Sequence, residues 1–599
     1  MDFVTPAGFR DVLGDEAQTR ERISHEVQAR FAECGYVPVE TPTLEVMDVL
    51  RASGRMAGSP FKLFDSQGDL LAMRPDVTLQ VARMVATRLS DQPGPLRFRY
   101  LQRVFREAEG PMQAAARELT QIGIECIGEA GASADAEVVG LLADALKLAG
   151  VRDFKLAVAT VGVLRALLEK SGAPLVWKAR MLNAFHASNF VEIDQLTGRA
   201  AEAGVSPLFA DAISALPRIR GRREAIERVR ALVAPLGCED GLDDFAATFD
   251  ALVEAGLADR LLVDFSVMSS FDYYTGIVFE AYAPGLGTPL GGGGRYDNMI
   301  GAYGQSRPAA GFAFFLEQAM AAATVPSTGR MGEQRDAAVF CGHPSTPAGE
   351  EARVEGCAAS TADRSVDGAG TLADSGEPAP LRIAVPKGSL NVDTIAALAG
   401  AGLDVTGLAD SGRTLIIRNP GVEYIIVRPT DAPSFVASGA ADCGICGKDS
   451  LLEADPDVVE LADLGFGACR FVVAEPTGAA EATRDHYRRL GSLRVATKYP
   501  RITRAHYAKT GVQVEIVKLH GNIELAPLTG MAERIVDITA TGTTLRENDL
   551  VVVEDVLSST ARFFSNTCAF RTDPRIVQLA QALQEGAGHT AREACEEKE

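Results

Sequence analysis

Apolar residues recur at Ile23, Val27, Phe31 and Cys34 with charged residues between them, a spacing that predicts an amphipathic helix over Asp15–Cys34, ended by Gly35. An extended segment, Tyr36 to Pro42, follows. Phe61–Phe64 and Leu70–Met73 then flank Asp65-Ser66-Gln67-Gly68-Asp69, a hairpin pattern. Arg74-Pro75-Asp76-Val77-Thr78 opens a helix expected to run through Leu89, and antiparallel strands are expected at Leu96–Phe105 and Leu119–Ile127. Glu137–Leu148 reads as helix, and the Ala-rich stretch from Leu164 to Leu257 reads as mainly helical. Strand patterns return at Leu261–Phe265 and Ile277–Ala283, before a Gly-rich stretch, Leu290–Asp297, and a helix near Phe314–Ala323.

The pattern breaks between Met331 and Pro380, where Ala, Gly, Ser, Thr and Pro dominate and Phe340 is the single aromatic residue. Such a segment buries too little apolar surface to offset its ordering entropy, and it reads as a disordered linker. Beyond it, short apolar runs at Leu381–Pro386, Thr414–Arg418, Glu423–Val427, Asp442–Cys446 and Arg494–Thr497 alternate with helical stretches. That alternation predicts an α/β arrangement. Arg575–Gln584 reads as a last helix, with an acidic tail expected to fray, and no internal repeat is visible. The expected organisation is therefore a domain over 1–330, a linker over 331–380 and a second domain over 381–599.

Composition narrows the class. A chain of 599 residues exceeds one core, and 47% hydrophobic with 23% charged residues is globular. No apolar run reaches membrane-spanning length, and the acidic N-terminus is unlike a signal peptide. Ten cysteines at irregular spacings fit a reducing compartment, so a cytoplasmic protein is expected. A net charge of −21 argues against a broad nucleic-acid surface.

Candidate chemistry concentrates in Glu533–Asp549. The run Ile535-Val536-Asp537-Ile538 looks like a buried strand with one carboxylate, and Thr539 to Thr544 supplies small and hydroxyl residues around Gly542. A strand that ends in a Thr/Gly turn is suited to cradle an anion, because backbone N–H groups and hydroxyls converge and glycine permits positive φ. Asp537 is placed to accept from sugar hydroxyls or help hold a cation, so the stretch suits phosphoribosyl pyrophosphate (PRPP). An ordinary Thr-rich turn after a strand is the alternative.

Three N-terminal segments resemble a family. TPAGFRDVLGDE with GYVPVETPTLE, FRYLQRVFREAEG with ARELTQIGIECIG, and FDYYTG with LGGGGRYDNMIG are similar, in order, to class II aminoacyl-tRNA synthetases of the histidyl type. The resemblance implies an antiparallel sheet with helices, an α+β fold. It also implies a histidine pocket formed by Asp76, Thr78, Arg106, Gln121, Glu125, Tyr273 and Tyr274. Departures accompany it: Ser269 and Gln318 stand where the family has arginines for catalysis and ATP binding, Phe105-Arg106-Glu107-Ala108 alters the second motif, and the anticodon-binding domain is missing. Each lost charged hydrogen bond costs about 1.5–3 kcal/mol, so aminoacylation and tRNA binding are not expected. A paralogue that keeps the pocket and loses ATP chemistry resembles the regulatory subunit of ATP phosphoribosyltransferase.

The C-terminal half resembles the short-form catalytic subunit of that same transferase. LRIAVPKGSL, RPTDAPSFVASGAADCGICGKD, RVATKYPRIT and KLHGNIELAPLTGMAERIVDITATGTTL carry the likeness. It implies two α/β lobes like a periplasmic binding protein, with ATP and PRPP in the cleft, Mg²⁺ accompanying them, and no metal ligand from the protein. Asp537, Thr541, Gly542, Thr543 and Thr544 match the PRPP loop. Glu524 matches an acid beside it, and Lys387, Arg413 and Arg428 match basic positions near the phosphates. Ser389 departs from the family, which usually has arginine there. The resemblance implies an ATP phosphoribosyltransferase opening histidine biosynthesis, feedback-inhibited by histidine and expected to be a homo-oligomer. Two rival readings stay open: a ligand sensor without turnover, and an active histidyl-tRNA synthetase fused to a transferase.

Other motifs carry less. Cys443-Gly444-Ile445-Cys446 has no second pair at metal-site spacing and suits a buried strand. GICGKD lacks the first Gly and the final Ser/Thr of a phosphate-binding P-loop, and Gly291–Gly294 lacks dinucleotide-binding spacing.

Overall fold

The computed structural model describes residues 5–52, 59–107, 116–267, 273–324, 379–410, 412–539 and 542–596. Thr541, Ser269, Ala108 and all but the last two residues of the expected linker lie outside the described residues.

The N-terminal half is built on a nine-stranded sheet. In chain order its strands and those of a small flanking sheet are β1 (Val37–Pro38), β2 (Leu44–Val46), β3 (Lys62–Phe64), β4 (Leu70–Met73), β5 (Leu96–Phe105), β6 (Glu118–Ile127), β7 (Lys155–Thr160), β8 (Arg220–Gly221), β9 (Leu261–Asp264), β10 (Ile277–Tyr282), β11 (Gly291–Arg295) and β12 (Ala309–Phe315). The large sheet runs β1-β5-β6-β12-β11-β10-β7-β9-β8, and β2-β4-β3 form the small one. From β5 to β7 every neighbouring pair is antiparallel. The expected first helix forms over Gly14–Glu33 and buries Ile23, Val27 and Phe31, as its spacing requires. A second, Ala132–Leu148, starts before the expected Glu137 and is buried on most sides. Residues 161–252 are helical in successive segments, in line with the Ala-rich pattern.

One stretch left without an assignment gains one, and one expectation needs correction. The Gly-rich stretch forms the central strand β11, because its neighbours fill the space its side chains would take. A Cβ on Gly293 would lie 2.1 Å from the Gly311 carbonyl, and one on Gly294 would lie 2.7 Å from the Tyr274 ring. The helix placed from Phe314 begins at Leu316, since Phe314 and Phe315 end β12. The run AAGFAFF is apolar throughout, so periodicity cannot separate strand from helix there.

The C-terminal half has two lobes. Its strands are β13 (Leu381–Pro386), β14 (Ile416–Asn419), β15 (Val422–Val427), β16 (Cys443–Gly447), β17 (Val458–Asp463), β18 (Cys469–Pro476), β19 (Leu493–Thr497), β20 (Val514–Lys518), β21 (Arg534–Thr539), β22 (Leu550–Ser559) and β23 (Ala561–Asn566). Lobe one is the sheet β14-β15-β13-β16-β23-β17, and lobe two is β20-β19-β21-β18-β22. The chain crosses between them twice, from β17 to β18 and from β22 to β23. The crossings are tied together: Leu464 N–H donates to the Ala561 carbonyl and Ala561 N–H to the Phe466 carbonyl, each 2.9 Å, and the Thr560 hydroxyl donates to Asp463 at 2.7 Å. The last helix spans Pro574–Glu596, so the tail expected to fray continues as helix. Ile576, Leu579 and Leu583 pack it into the core of lobe one. No helix among the described residues is long and apolar enough to cross a membrane.

The halves meet on lobe one. Phe190 of the first packs edge-on against Phe570 of the second, with ring centroids 5.8 Å apart. Glu460 N–H donates to the Ser188 carbonyl at 3.2 Å, and the Asn566 amide donates to the Gly287 carbonyl at 3.0 Å.

Candidate functional site

The N-terminal sheet holds a cavity of about 180 Å³, and Asp76, Thr78, Arg106, Gln121, Glu125, Tyr273 and Tyr274 all line it. Its volume is close to the ~150 Å³ that accommodates a benzene ring. On β6, Gln121 and Glu125 are four residues apart and share a face. The Gln121 amide donates to Asp76 at 2.9 Å and accepts from Val77 N–H at 3.1 Å, while Asp76 also accepts from Thr78 N–H at 2.8 Å. Glu125 forms the floor, accepting from the hydroxyls of Thr78 (2.6 Å), Tyr100 (3.3 Å) and Tyr296. It fits there because Gly311 has no side chain: a Cβ would lie 1.9 Å from its carboxylate oxygen. Only 1% of Glu125 is exposed, and burial pushes its pKa up to about 8 against the pull of the three hydroxyls. Arg106 donates to the Pro75 carbonyl at 3.1 Å and lies 5.1 Å over the Phe315 ring.

This constellation offers carboxylates to an ammonium group, amide and phenol groups to a heteroatom ring, and Arg106 to a carboxylate. Gln318, at the position expected to lack a cation, turns to its own neighbourhood. With its amide satisfied at both ends, it donates to the Pro289 carbonyl (2.7 Å) and accepts from Thr288 (3.1 Å). Sequence reasoning missed Tyr100, Tyr296 and Glu280 in this site. Tyr296 lies within LGGGGRYDNMIG, one of the segments that carry the histidyl-type resemblance.

The candidate residues of the transferase half are distributed over its two lobes. Asp537 sits near the end of β21, accepting from its neighbour's Ile538 N–H at 2.8 Å. Burial first, then the adjacent Glu524 carboxylate, raise its pKa to about 6, while Lys498 opposes them. The turn that follows is shaped by Gly542 at φ +71°, whose N–H donates to the Thr539 hydroxyl at 2.8 Å, and Thr543 and Thr544 begin a short helix. Across the boundary, Tyr499 of lobe two lies within the field of both Asp537 and Asp449 of lobe one. Lys387 directly follows β13 and Arg428 directly follows β15, two parallel strands ending together. Arg413 precedes β14, at the same edge, where Leu415 accepts from Ile426 N–H at 2.8 Å. All three cations are exposed, as is Ser389. Lys498 and Tyr499 are cleft residues that sequence reasoning passed over, although they stand within RVATKYPRIT. Among the described residues no three His, Cys, Asp or Glu side chains converge as a metal site. Cys443 and Cys446 are fully buried in β16, where burial raises both thiol pKa values, in line with the buried-strand reading.

Known proteins share both halves. A family model for histidyl-tRNA synthetase matches residues 8–319, and one for ATP phosphoribosyltransferase matches residues 428–585. The ATP phosphoribosyltransferase of Moorella thermoacetica is 50% identical over 213 residues, covering 35% of this chain and 93% of that protein. The ATP phosphoribosyltransferase regulatory subunit of the same organism is 36% identical over 319 residues, covering 53% of this chain and 81% of that protein. A crystal structure described as an ATP phosphoribosyltransferase regulatory subunit/histidyl-tRNA synthetase from Bacillus halodurans aligns at a TM-score of 0.50 and 26% identity, over 71% of this chain and 98% of that one. The chain therefore belongs to the ATP phosphoribosyltransferase family, and it joins in one polypeptide a histidyl-tRNA synthetase-like regulatory half and the transferase itself.

Proposed function

We propose that the transferase half joins N1 of ATP to C1 of PRPP, releasing pyrophosphate, and that the synthetase-like half binds histidine and inhibits that reaction. The observation that supports this is the presence, in one chain, of a cavity lined by Glu125 and its polar neighbours in the synthetase-like half and of a two-lobed transferase half that carries Asp537 on one lobe and the exposed Lys387, Arg413 and Arg428 on the other.

Asp537 accepts from the ribose hydroxyls, and Gly542, Thr543 and Thr544, with Thr541 of the same segment, take the 5′-phosphate. The three cations neutralise the triphosphate and the departing pyrophosphate. The transition state is oxocarbenium-like, so positioning and charge neutralisation supply most of the rate and no side chain acts as an essential base. Lys387, Arg413 and Arg428 would share that neutralisation with a Mg²⁺ ion carried by the diphosphate. The nearness of Glu524 to Asp537, which helps raise the Asp537 pKa, suits a place where a cation comes to rest.

The regulatory unit is assigned to 1–330 and the transferase to 381–599, with 331–380 as the tether. Histidyl transfer to tRNA is not expected, because Gln318 offers no cation to ATP. A homo-oligomer in the cytoplasm fits a biosynthetic enzyme with reduced, buried thiols. The test is pyrophosphate release by the whole chain from ATP and PRPP, with and without histidine. Release that histidine suppresses is expected, and no release under any condition contradicts the proposal.

A further inference from the structure

One edge of the regulatory pocket continues directly into the contact with the transferase half. Glu280 and Tyr282 stand two apart on β10 and share a face. Glu280 lines the cavity. Its side chain has room because its cross-strand partner is Gly292, where a Cβ would come 3.0 Å from the Glu280 Cγ. The Tyr282 hydroxyl donates to the Glu280 carboxylate. Against the ring of Tyr282, which is fully buried, rests the guanidinium of Arg571 from the transferase half, 4.9 Å from the centroid.

Charge arithmetic makes this contact sensitive. Half-buried Arg220 from the regulatory half and buried Arg571 from the transferase half meet at the seam, and the carboxylates of Asp264, Glu280 and Asp457 act on them, Glu280 being the one of the three that also lines the cavity. Asp264 is committed: it pairs with Arg220 at 3.0 Å and accepts from Ser266 N–H at 2.9 Å. Arg571 donates to the Thr567 carbonyl at 3.3 Å, and its Nε has no hydrogen-bond partner among the described residues. Glu280 is thus the carboxylate that both the pocket and Arg571 can draw upon. A buried guanidinium that loses its compensating charge is costly, so Arg571 follows what Glu280 does.

Arg571 also sits on a lever. Its helix, Thr567–Thr572, follows β23 without a break, and β23 starts at the interlobe crossing. Asn566 joins strand to helix, its side chain accepting from Cys568 and Ala569 N–H while its amide donates to the Gly287 carbonyl of the regulatory half.

We propose that Glu280 passes the occupancy of the pocket to the transferase: a ligand cation, ammonium or imidazolium, engages its carboxylate, draws it from Tyr282 and Arg571, and loosens the seat of the Thr567–Thr572 helix at the root of the interlobe crossing. This rests on the reading of the pocket as a histidine site. The resulting change in lobe closure lowers turnover.

The experiment uses the full chain with histidine as probe, comparing wild type with Tyr282→Phe, a residue that lines neither site. Calorimetry reads binding, and pyrophosphate release reads inhibition. Histidine should bind Tyr282→Phe within about threefold of wild type, and turnover without histidine should change less than about twofold. Maximal inhibition should weaken by at least about fivefold. Hydrogen exchange at residues 567–572 should respond to histidine in wild type and lose that response in the variant. If wild type fails to bind histidine, the sensor reading falls and the relay with it. If wild type binds and is inhibited, but Tyr282→Phe is inhibited as fully, the relay alone is overturned. Should the variant not fold, exchange in wild type decides, and an unchanged 567–572 segment on histidine addition overturns the proposal.

Discussion

The regulatory pocket and the catalytic cleft treat charge in opposite ways. In the pocket, Glu125, Asp76, Gln121 and Thr78 are already hydrogen-bonded to one another and to the tyrosines. In the cleft, Lys387, Arg413 and Arg428 are exposed on strand ends and loops, and Asp537 is close to another acid. A preformed, satisfied network suits a small ligand bound with little reorganisation, where selectivity comes from leaving buried partners unpaired by the wrong ligand. Exposed cations gathered at one edge of a lobe suit large anionic substrates that arrive with their own charge.

The largest effect that sharpens this contrast is expected at Asp537. Asp537→Asn should lower kcat/KM for PRPP by about tenfold to a hundredfold, the loss of a ligand contact worth about 1–3 kcal/mol. The pH profile adds a signature. With its pKa near 6 in the free protein, Asp537 is protonated below that value, so wild-type kcat/KM should rise with pH through about 6. Asp537→Asn should lack that limb, and a variant that retains both rate and limb would remove Asp537 from the site.

A second break falls on the pocket floor. Gly311→Ala places a Cβ 1.9 Å from a Glu125 oxygen and 2.6 Å from the Ile124 carbonyl. Overpacking of this kind costs about 1–3 kcal/mol, read as a lower Tm, and histidine binding should be lost. Binding that survives would show that the floor is not where the ligand sits.

The smallest effect concerns stability and pH. The folded pKa of Glu125, about 8, lies above its usual value of 4.5, so the fold favours the protonated carboxyl. That contribution is full below about pH 4.5 and is lost as pH rises toward 8. Without histidine, the Tm of wild type should therefore fall relative to Glu125→Gln across this window. Parallel curves for the two proteins would place Glu125 in a more hydrated setting than the one described.

How much of this was legible in the sequence followed from where side chains carry a period. The first helix declared itself through Ile23, Val27 and Phe31, and β5 and β6 through their apolar alternation. The seven pocket residues were named in advance through motif resemblance, and they come together around one cavity. What was missed has physical reasons. β11 is a strand of glycines whose identity is dictated by the bulk of Phe312, Phe314 and Tyr274 across from it, a property of neighbours distant in sequence. β17, β18, β20, β22 and β23 escape a reading as strands, because their assignment depends on pairing within each lobe's sheet with partners that no local pattern encodes. Arg571 and Tyr282 sit in apolar or unremarkable stretches, and only the docking of the halves brings them against each other.

The central claim is that sensing and catalysis occupy separate sites in one chain, and histidine titration by calorimetry of Glu125→Ala beside Asp537→Asn tests it most directly. The account predicts that Asp537→Asn binds histidine as wild type does, while Glu125→Ala shows no binding heat at concentrations that saturate wild type. Histidine binding that is lost in Asp537→Asn and kept in Glu125→Ala would place the amino acid in the catalytic cleft and contradict the claim.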